Sequence, residues 1–368
     1  MRLKLRRKQL LSAVLSSALL LTQLPPVSAN QPPPPLASSV ITVLSGAYDD
    51  SITVSTHQQL MNALEQEIKH IKVNGLITIG REAEESGRMK PVFIPKGTII
   101  EGTSGSIINC RCPIQLEGDG VTFKNIELIF ESSDALGSIP HREIFLAGYS
   151  LTLDNVSTYL EGGGGAFGPL GGYEAELLPT VFAGGYQNTS IGSNAVLTIK
   201  NSNSKTIFQD IYMGHEAGEY QHVPYREDTI LTLDNSVAVR GGIYTDQNSS
   251  AEIFLNGNGK SLFNNVKATN FIGNDETILT MTGCSASSAV MDEIGTIVLK
   301  DNSYLMPQTS QFHNISLQEN SCLDLSEVVN ATITGDFEGG YYDFNSNSYQ
   351  ETSQSNVKSS DTNTAGIL

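Results

Sequence analysis

A short strand phrase recurs along this chain: Leu151-Thr152-Leu153-Asp154-Asn155, Leu197-Thr198-Ile199-Lys200-Asn201 and Leu231-Thr232-Leu233-Asp234-Asn235. Looser copies follow at Leu279-Thr280-Met281, Ile297-Val298-Leu299-Lys300-Asp301-Asn302, Ile315-Ser316-Leu317 and Thr332-Ile333-Thr334. Each copy alternates apolar and polar residues and closes on an Asn, Asp or Gly turn, the period-two pattern of a half-buried strand. The last three copies step by about 18 residues, and the longer earlier steps have room for two rungs or an outward loop. A length of 368 residues would suit two globular domains. A repeat of this period instead predicts one elongated all-β solenoid, a coil of parallel rungs.

Composition fits the coil. Only 17% of residues are charged and 34 are Gly, with Asn, Ser and Thr abundant. Every rung turns several corners, where Gly and Asn supply positive φ and Asn side chains can ladder between rungs. The span from Val73 to about Phe337 predicts roughly a dozen rungs, a coil on the order of 55–60 Å long at ~4.8 Å per rung. An open end would expose apolar core and strand edge. Residues 55–71 predict its cover: Thr56-His57-Gln58-Gln59 has capping-box spacing, and Leu60, Ala63, Leu64, Ile68 and Ile71 follow at helical intervals. A surface helix unrelated to capping is the alternative.

The termini read differently. Residues 1–29 combine a basic stretch through Lys8, an apolar run from Leu10 to about Leu21, and small Val27 and Ala29 at an A-x-A-like site. This predicts a secretory signal peptide, because the run is shorter than the roughly 20 apolar residues that span a bilayer. Residues 30–39, with Pro32-Pro33-Pro34-Pro35, predict a stiff linker. The coil domain is expected over 40–340, and the polar segment 341–368 is expected to be a disordered tail. Loss of Arg2, Lys4, Arg6, Arg7 and Lys8 with the leader would take the formal charge from −17 to about −22. So acidic a chain excludes nucleic acid and anionic bilayers as expected partners. Cys110, Cys112, Cys284 and Cys322 read as buried structural thiols, with one or two disulfides as the alternative; the tight Cys/His set of a metal site is absent.

Three segments carry a family resemblance: Ile68-Lys69-His70-Ile71-Lys72-Val73-Asn74-Gly75-Leu76-Ile77-Thr78-Ile79, Pro95-Lys96-Gly97-Thr98-Ile99-Ile100-Glu101-Gly102, and Gly120-Val121-Thr122-Phe123-Lys124-Asn125-Ile126-Glu127-Leu128. Together they resemble the opening of pectate-lyase-like proteins over about 70 residues. The resemblance implies a single-stranded right-handed parallel β-helix with an N-terminal capping helix. That scaffold carries lyases, hydrolases and inert adhesins alike, so fold alone does not choose among them. The lyases' W-x-D-H strand is missing, since the chain has no Trp, and Pro140-His141-Arg142 does not match their R-x-P-x-x-R segment.

The densest polar stretch runs from Phe208 to Asp228. His215, Arg226 and Asp210 are its candidates for acid, base or charge-neutralising work. Tyr212, Tyr220, Tyr225 and His222 are its candidates for an aromatic-walled groove that holds a sugar or peptide by stacking and hydrogen bonds. The bland reading is a polar surface loop. Asp154 and Asp234 occupy equivalent repeat positions and read as turn formers. Glu161-Gly162-Gly163-Gly164-Gly165 is no phosphate cradle, because neither Lys-Ser/Thr nor a helix start follows. No metal site or cofactor is expected, and calcium has no motif behind it. The expected function is that of a secreted or cell-surface bacterial adhesin-like protein, binding an extracellular polysaccharide or surface protein without catalysis. A polysaccharide lyase or glycoside hydrolase is the alternative.

Overall fold

Alternation puts one face of each strand phrase inside, and parallel in-register pairing stacks those faces into a continuous interior. The computed structural model describes residues 51–80, 90–130, 142–159, 178–186, 189–214, 222–234, 237–245, 249–257, 270–292, 294–308, 311–325, 328, 332–339, 341–343, 348–350, 356–358 and 366–367. The expected leader and proline linker lie outside these residues. Two long parallel sheets dominate, one of fourteen strands and one of eleven. In each main path the strand order follows chain order, so successive turns of the chain add strands to both. The fold is therefore all-β and solenoid-like.

The first sheet is built from the recurring phrase. Leu153, Ile199, Leu233, Leu255, Met281, Leu299 and Leu317 are direct partners from one rung to the next. All are buried in a single core that runs through the coil. Full burial of such side chains stabilises by roughly 1.5–3 kcal/mol each before entropy is counted. The intervening Thr122, Thr152, Thr198 and Thr232 form their own register row on the opposite face.

Corners follow the expected turn chemistry. Asn125, Asn155 and Asn201 take φ of 51°, 53° and 51° at the end of successive phrases. The Asn155 side-chain amide donates to Asn125 Oδ1 at 3.0 Å, so the Asn ladder exists here. Beside it, Lys72, Glu101, Lys124, Asp154 and Lys200 alternate in sign up the stack. Lys124 Nζ lies 3.0 Å from Glu101 and Lys200 Nζ 3.5 Å from Asp154. Lys124 and then His70 hold the Glu101 carboxyl below the usual carboxylate range. Exposed pairs contribute about 0–1 kcal/mol each, so their larger effect is to penalise mispaired rungs.

The helix is shorter than the expected 55–71: it spans His57–Glu65. Thr56 Oγ1 accepts from the Gln59 amide, as the capping spacing requires. At the other end Glu67 adopts φ 54°, while Ile68 N donates to Ala63 O and Glu67 N to Leu64 O. That is the paired bonding of a Schellman stop, and it ends the helix before Ile68 and Ile71. Ile71 belongs instead to the strand His70–Val73. Leu60, Ala63 and Leu64 join the continuous core, and the helix lies against the terminal strand Ser51–Val54. Because a non-Gly residue in the left-handed region costs roughly 1–2 kcal/mol, Glu67→Gly is expected to raise unfolding stability by about 1 kcal/mol. Denaturant melts of the two chains check this, and a loss of stability would contradict the stop geometry.

The four cysteines are buried, with no disulfide among them. Burial pushes the Cys110 thiol well above its ordinary value and those of Cys112 and Cys284 up to about 12, so these thiols stay protonated. Of the segment 341–368, the described residues Asn356–Lys358 pair parallel with Cys322–Asp324, and Gly366–Ile367 with Thr332–Ile333. An open rung offers backbone hydrogen bonds to any chain that reaches it.

Candidate functional site

The outer face of the second sheet carries what the sequence reading only partly located. Its strands are short. Glu143–Phe145, Thr180–Phe182, Ile211–Met213 and Gly242–Thr245 stack in parallel, with Ile144, Val181, Ile211 and Ile243 pointing into the core. The next residue of each strand then faces outward, which lines up Phe145, Phe182, Tyr212 and Tyr244. Ring centroids are 5.4, 5.1 and 4.7 Å apart with interplanar angles of 22°, 5° and 14°. Tyr186 tilts against Phe145 at 5.8 Å, and its amide donates to Gln115 Oε1 at 2.8 Å. Phe145, Phe182 and Tyr186 thus form a second small core outside the sheet, with the half-buried Tyr212 packed on it.

Asp210 sits two residues before Tyr212, on the same face. Its Oδ1 accepts from Gly242 N at 3.0 Å, and Gln209 and Tyr244 also hydrogen-bond the carboxyl. Burial raises its pKa; those bonds and the Arg142 charge act the other way. The close fit requires glycine at 241, where a methyl group would overlap the Asp210 carboxylate. Two rungs away on the same row, Glu143 is buried; its register partner Thr180 precedes Val181 as Asp210 precedes Ile211, the partner of Val181.

The stacked rings turn their faces to one another. Flat stacking on a sugar ring, as the sequence reading expected, has few free faces to use. The row offers ring edges and tyrosine hydroxyls beside a carboxyl group, which is hydrogen-bonding chemistry.

The other predicted residues separate. Tyr225 is only 2% exposed and fills the core, where its hydroxyl accepts from Ala195 N at 3.2 Å. A large ring is more stable buried there with its oxygen bonded than lining a groove. Arg226 is exposed, just before Thr229–Asp234 of the first sheet. His215 and Tyr220 lie outside the described residues. The backbone of His222 pairs antiparallel with Tyr186, beside the aromatic cluster. Asp154 accepts from Asn201 Nδ2 at 2.6 Å and Asp234 from Ser202 N at 3.2 Å, which makes both turn-bonded.

Sequence reasoning missed Tyr244, Phe182, Phe145 and Glu143. A signal for the aromatics was present, because Ile144-Phe145, Val181-Phe182, Ile211-Tyr212 and Ile243-Tyr244 repeat one aliphatic-aromatic pair. Among the described residues no three His, Cys, Asp or Glu side chains converge to hold a metal ion. No described helix is long and apolar enough to cross a membrane. Compared with protein-family models, curated proteins and solved structures, the chain matches none.

Proposed function

We propose that the chain is a secreted or cell-surface, adhesin-like right-handed β-helix of the pectate-lyase-like type, which binds an extracellular glycan or surface protein without turning it over. The helix His57–Glu65 acts as the cover of its first rung. The observation that supports binding over catalysis is the state of Asp210: Gly242, Gln209 and Tyr244 all engage it, so the carboxyl holds the tyrosine row in place. The Tyr212 hydroxyl is then a recognition group, and the Tyr244 hydroxyl, whose proton goes to Asp210, adds only its acceptor lone pairs.

A hydrolase reading has one observation in its favour. Asp210 is raised in pKa, and Glu143 lies two rungs away on the same row. Two strand spacings amount to about 9.6 Å, near the upper end of the carboxylate separation of inverting glycosidases.

The test is a polysaccharide panel, scored in parallel for retention of the chain and for reducing ends or unsaturated products, with and without calcium. Retention that falls at least tenfold in Tyr212→Ala, Tyr244→Ala, with no product formed, is the expected result. Product that disappears in Asp210→Asn would replace this reading with the enzyme.

A further inference from the structure

Six charges stand in one row on the outer face of the first sheet. Lys72, Glu101, Lys124, Asp154 and Lys200 are successive register partners, and Asp234 follows Leu233 as Lys200 follows its partner Ile199. The row is bounded: Thr53 is in register with Lys72 at one end and Asn256 with Asp234 at the other. Signs alternate without a break, so three lysines and three carboxylates sum to zero in a chain whose net charge is −17. The row reaches solvent, with the Lys124 and Lys200 side chains 41% and 52% exposed. The row beside it begins at His70, an ion-pair partner of Glu101, and is uncharged from Ile99 through Thr122, Thr152 and Thr198 to Thr232.

The chain itself uses only part of this bonding capacity. Lys124 Nζ meets Glu101 at 3.0 Å and Lys200 Nζ meets Asp154 at 3.5 Å. An ammonium has three donors and a carboxylate about four acceptor positions, so both kinds of group can take a further partner from outside.

An even row of strictly alternating charge is complementary to its own reverse. Consider a two-fold axis parallel to the strands, midway between the rungs of Lys124 and Asp154. It lays the row of a second copy over the first in opposite order. Lys124 then faces Asp154 of the other copy, Glu101 faces Lys200, and Lys72 faces Asp234, each contact occurring twice. In the neighbouring row Thr122 faces Thr152. An axis moved onto a rung would instead set lysine on lysine and carboxylate on carboxylate, so charge selects the register.

We propose that this row is the interface of a two-fold symmetric homodimer. Two chains of net charge −17 repel one another, and a strip that sums to zero is where they can approach. Five steps of ~4.8 Å across a strand width of about 17 Å cover roughly 400 Å² per copy. That is below the ~800 Å² per partner of a standard interface, so the dimer is weak and dissociates on dilution. The tyrosine row belongs to the other sheet, and the dimer forms whether or not that row binds a glycan.

The test is sedimentation equilibrium of the purified chain from micromolar to millimolar concentration at physiological ionic strength. The apparent mass is expected to rise toward twice that of the monomer and no further. Lys124→Glu sets a carboxylate against Asp154 of the other copy, and Asp154→Lys sets an ammonium against Lys124; each should weaken association at least tenfold. Mixed in equal amounts, these two variants should associate at least tenfold more tightly than either alone, because the new carboxylate of one faces the new ammonium of the other. Circular dichroism and melting midpoints establish that each is folded. Lys124→Gln, Asp154→Asn in one chain places no like charges side by side, so it decides the matter should a reversal fail to fold: weakened association supports the interface and unchanged association overturns it. Tyr212→Ala, Tyr244→Ala should associate as the unaltered chain does. A chain monomeric throughout, assemblies larger than two, reversals without effect, or a mixture no tighter than its components each overturn the proposal. Loss confined to the tyrosine variant overturns it as well, by moving the contact to the second sheet.

Discussion

Phe123→Ala is expected to lower unfolding stability by about 3–5 kcal/mol, while Thr122→Ala, one residue away, changes it by no more than about 0.5 kcal/mol. Phe123 is 1% exposed and sits in register between Ile100 and Leu153. Removing its ring takes a stacked partner from the rung below and the rung above, and strand backbones hydrogen-bonded on both sides cannot close the space. Thr122 belongs to the outward row, so its truncation removes only a methyl and a hydroxyl from solvent contact. Denaturant titration followed by far-ultraviolet circular dichroism measures both. The contrast tests register directly, because a one-residue slip would exchange the two faces. Similar losses for the two variants would rule out the described pairing. In a stack whose rungs contact only neighbours, the loss also has a place: unfolding should begin around the damaged rung, and the transition should broaden.

A second large effect is expected at Gly148→Ala, about 2–4 kcal/mol, from backbone strain added to lost hydrogen bonds. Gly148 has φ 71°, and a methyl group there would overlap the carbonyl of Gly192. The reverse contact is also closed, since a methyl group on Gly192 would meet the Gly148 carbonyl and the Tyr149 ring. This pair of glycines lets two turns cross in direct backbone contact. Gly148 N donates to Ala183 O, Gly192 N to Ala147 O, and Asn194 N to Gly148 O, at 2.8, 2.9 and 2.9 Å. A side chain at 148 forces the turns apart and breaks part of that set. The damage should reach the aromatic row, because Gly148 lies three residues after Phe145, which ends the strand Glu143–Phe145. Near-ultraviolet circular dichroism, which reports the packed rings, should weaken along with stability. Stability within 0.5 kcal/mol of the parent, as typical of an open surface site, would show that the two turns do not touch.

These effects bear on how much of the architecture was visible beforehand. The phrase at Leu151, Leu197 and Leu231 was legible because strands of six to eight residues show their alternation in full, and its Asn turns announced the corners. The strands of the second sheet were not, since three residues such as Glu143-Ile144-Phe145 are too few to display a period. The helix was placed correctly but extended too far. Ile68 and Ile71 continue a helical interval by coincidence, and the left-handed turn at Glu67 carries no glycine to mark it.

The candidate site was half legible. Asp210 and Tyr212 stood out in a cluster of polar and aromatic residues, but Tyr225 in the same cluster went to the core, and nothing local separates the two. Tyr244 lies far from Tyr212 in sequence yet is its direct stacking partner at 4.7 Å.

By itself the sequence determined the all-β class, the stacking of rungs, the inward and outward faces of the first sheet and the acidity of the whole, because each depends on neighbours a few residues apart. Only the tertiary structure decided which outward residues share a row. That depends on the number of residues each turn of the coil consumes, and the turns here differ in length: the step from Phe123 to Leu153 is not the step from Leu299 to Leu317. The tyrosine row, its carboxyl neighbour and the threonine row beside the charged ladder are all products of that long-range addition, in which backbone hydrogen bonds and core packing set the register and the outer side chains follow.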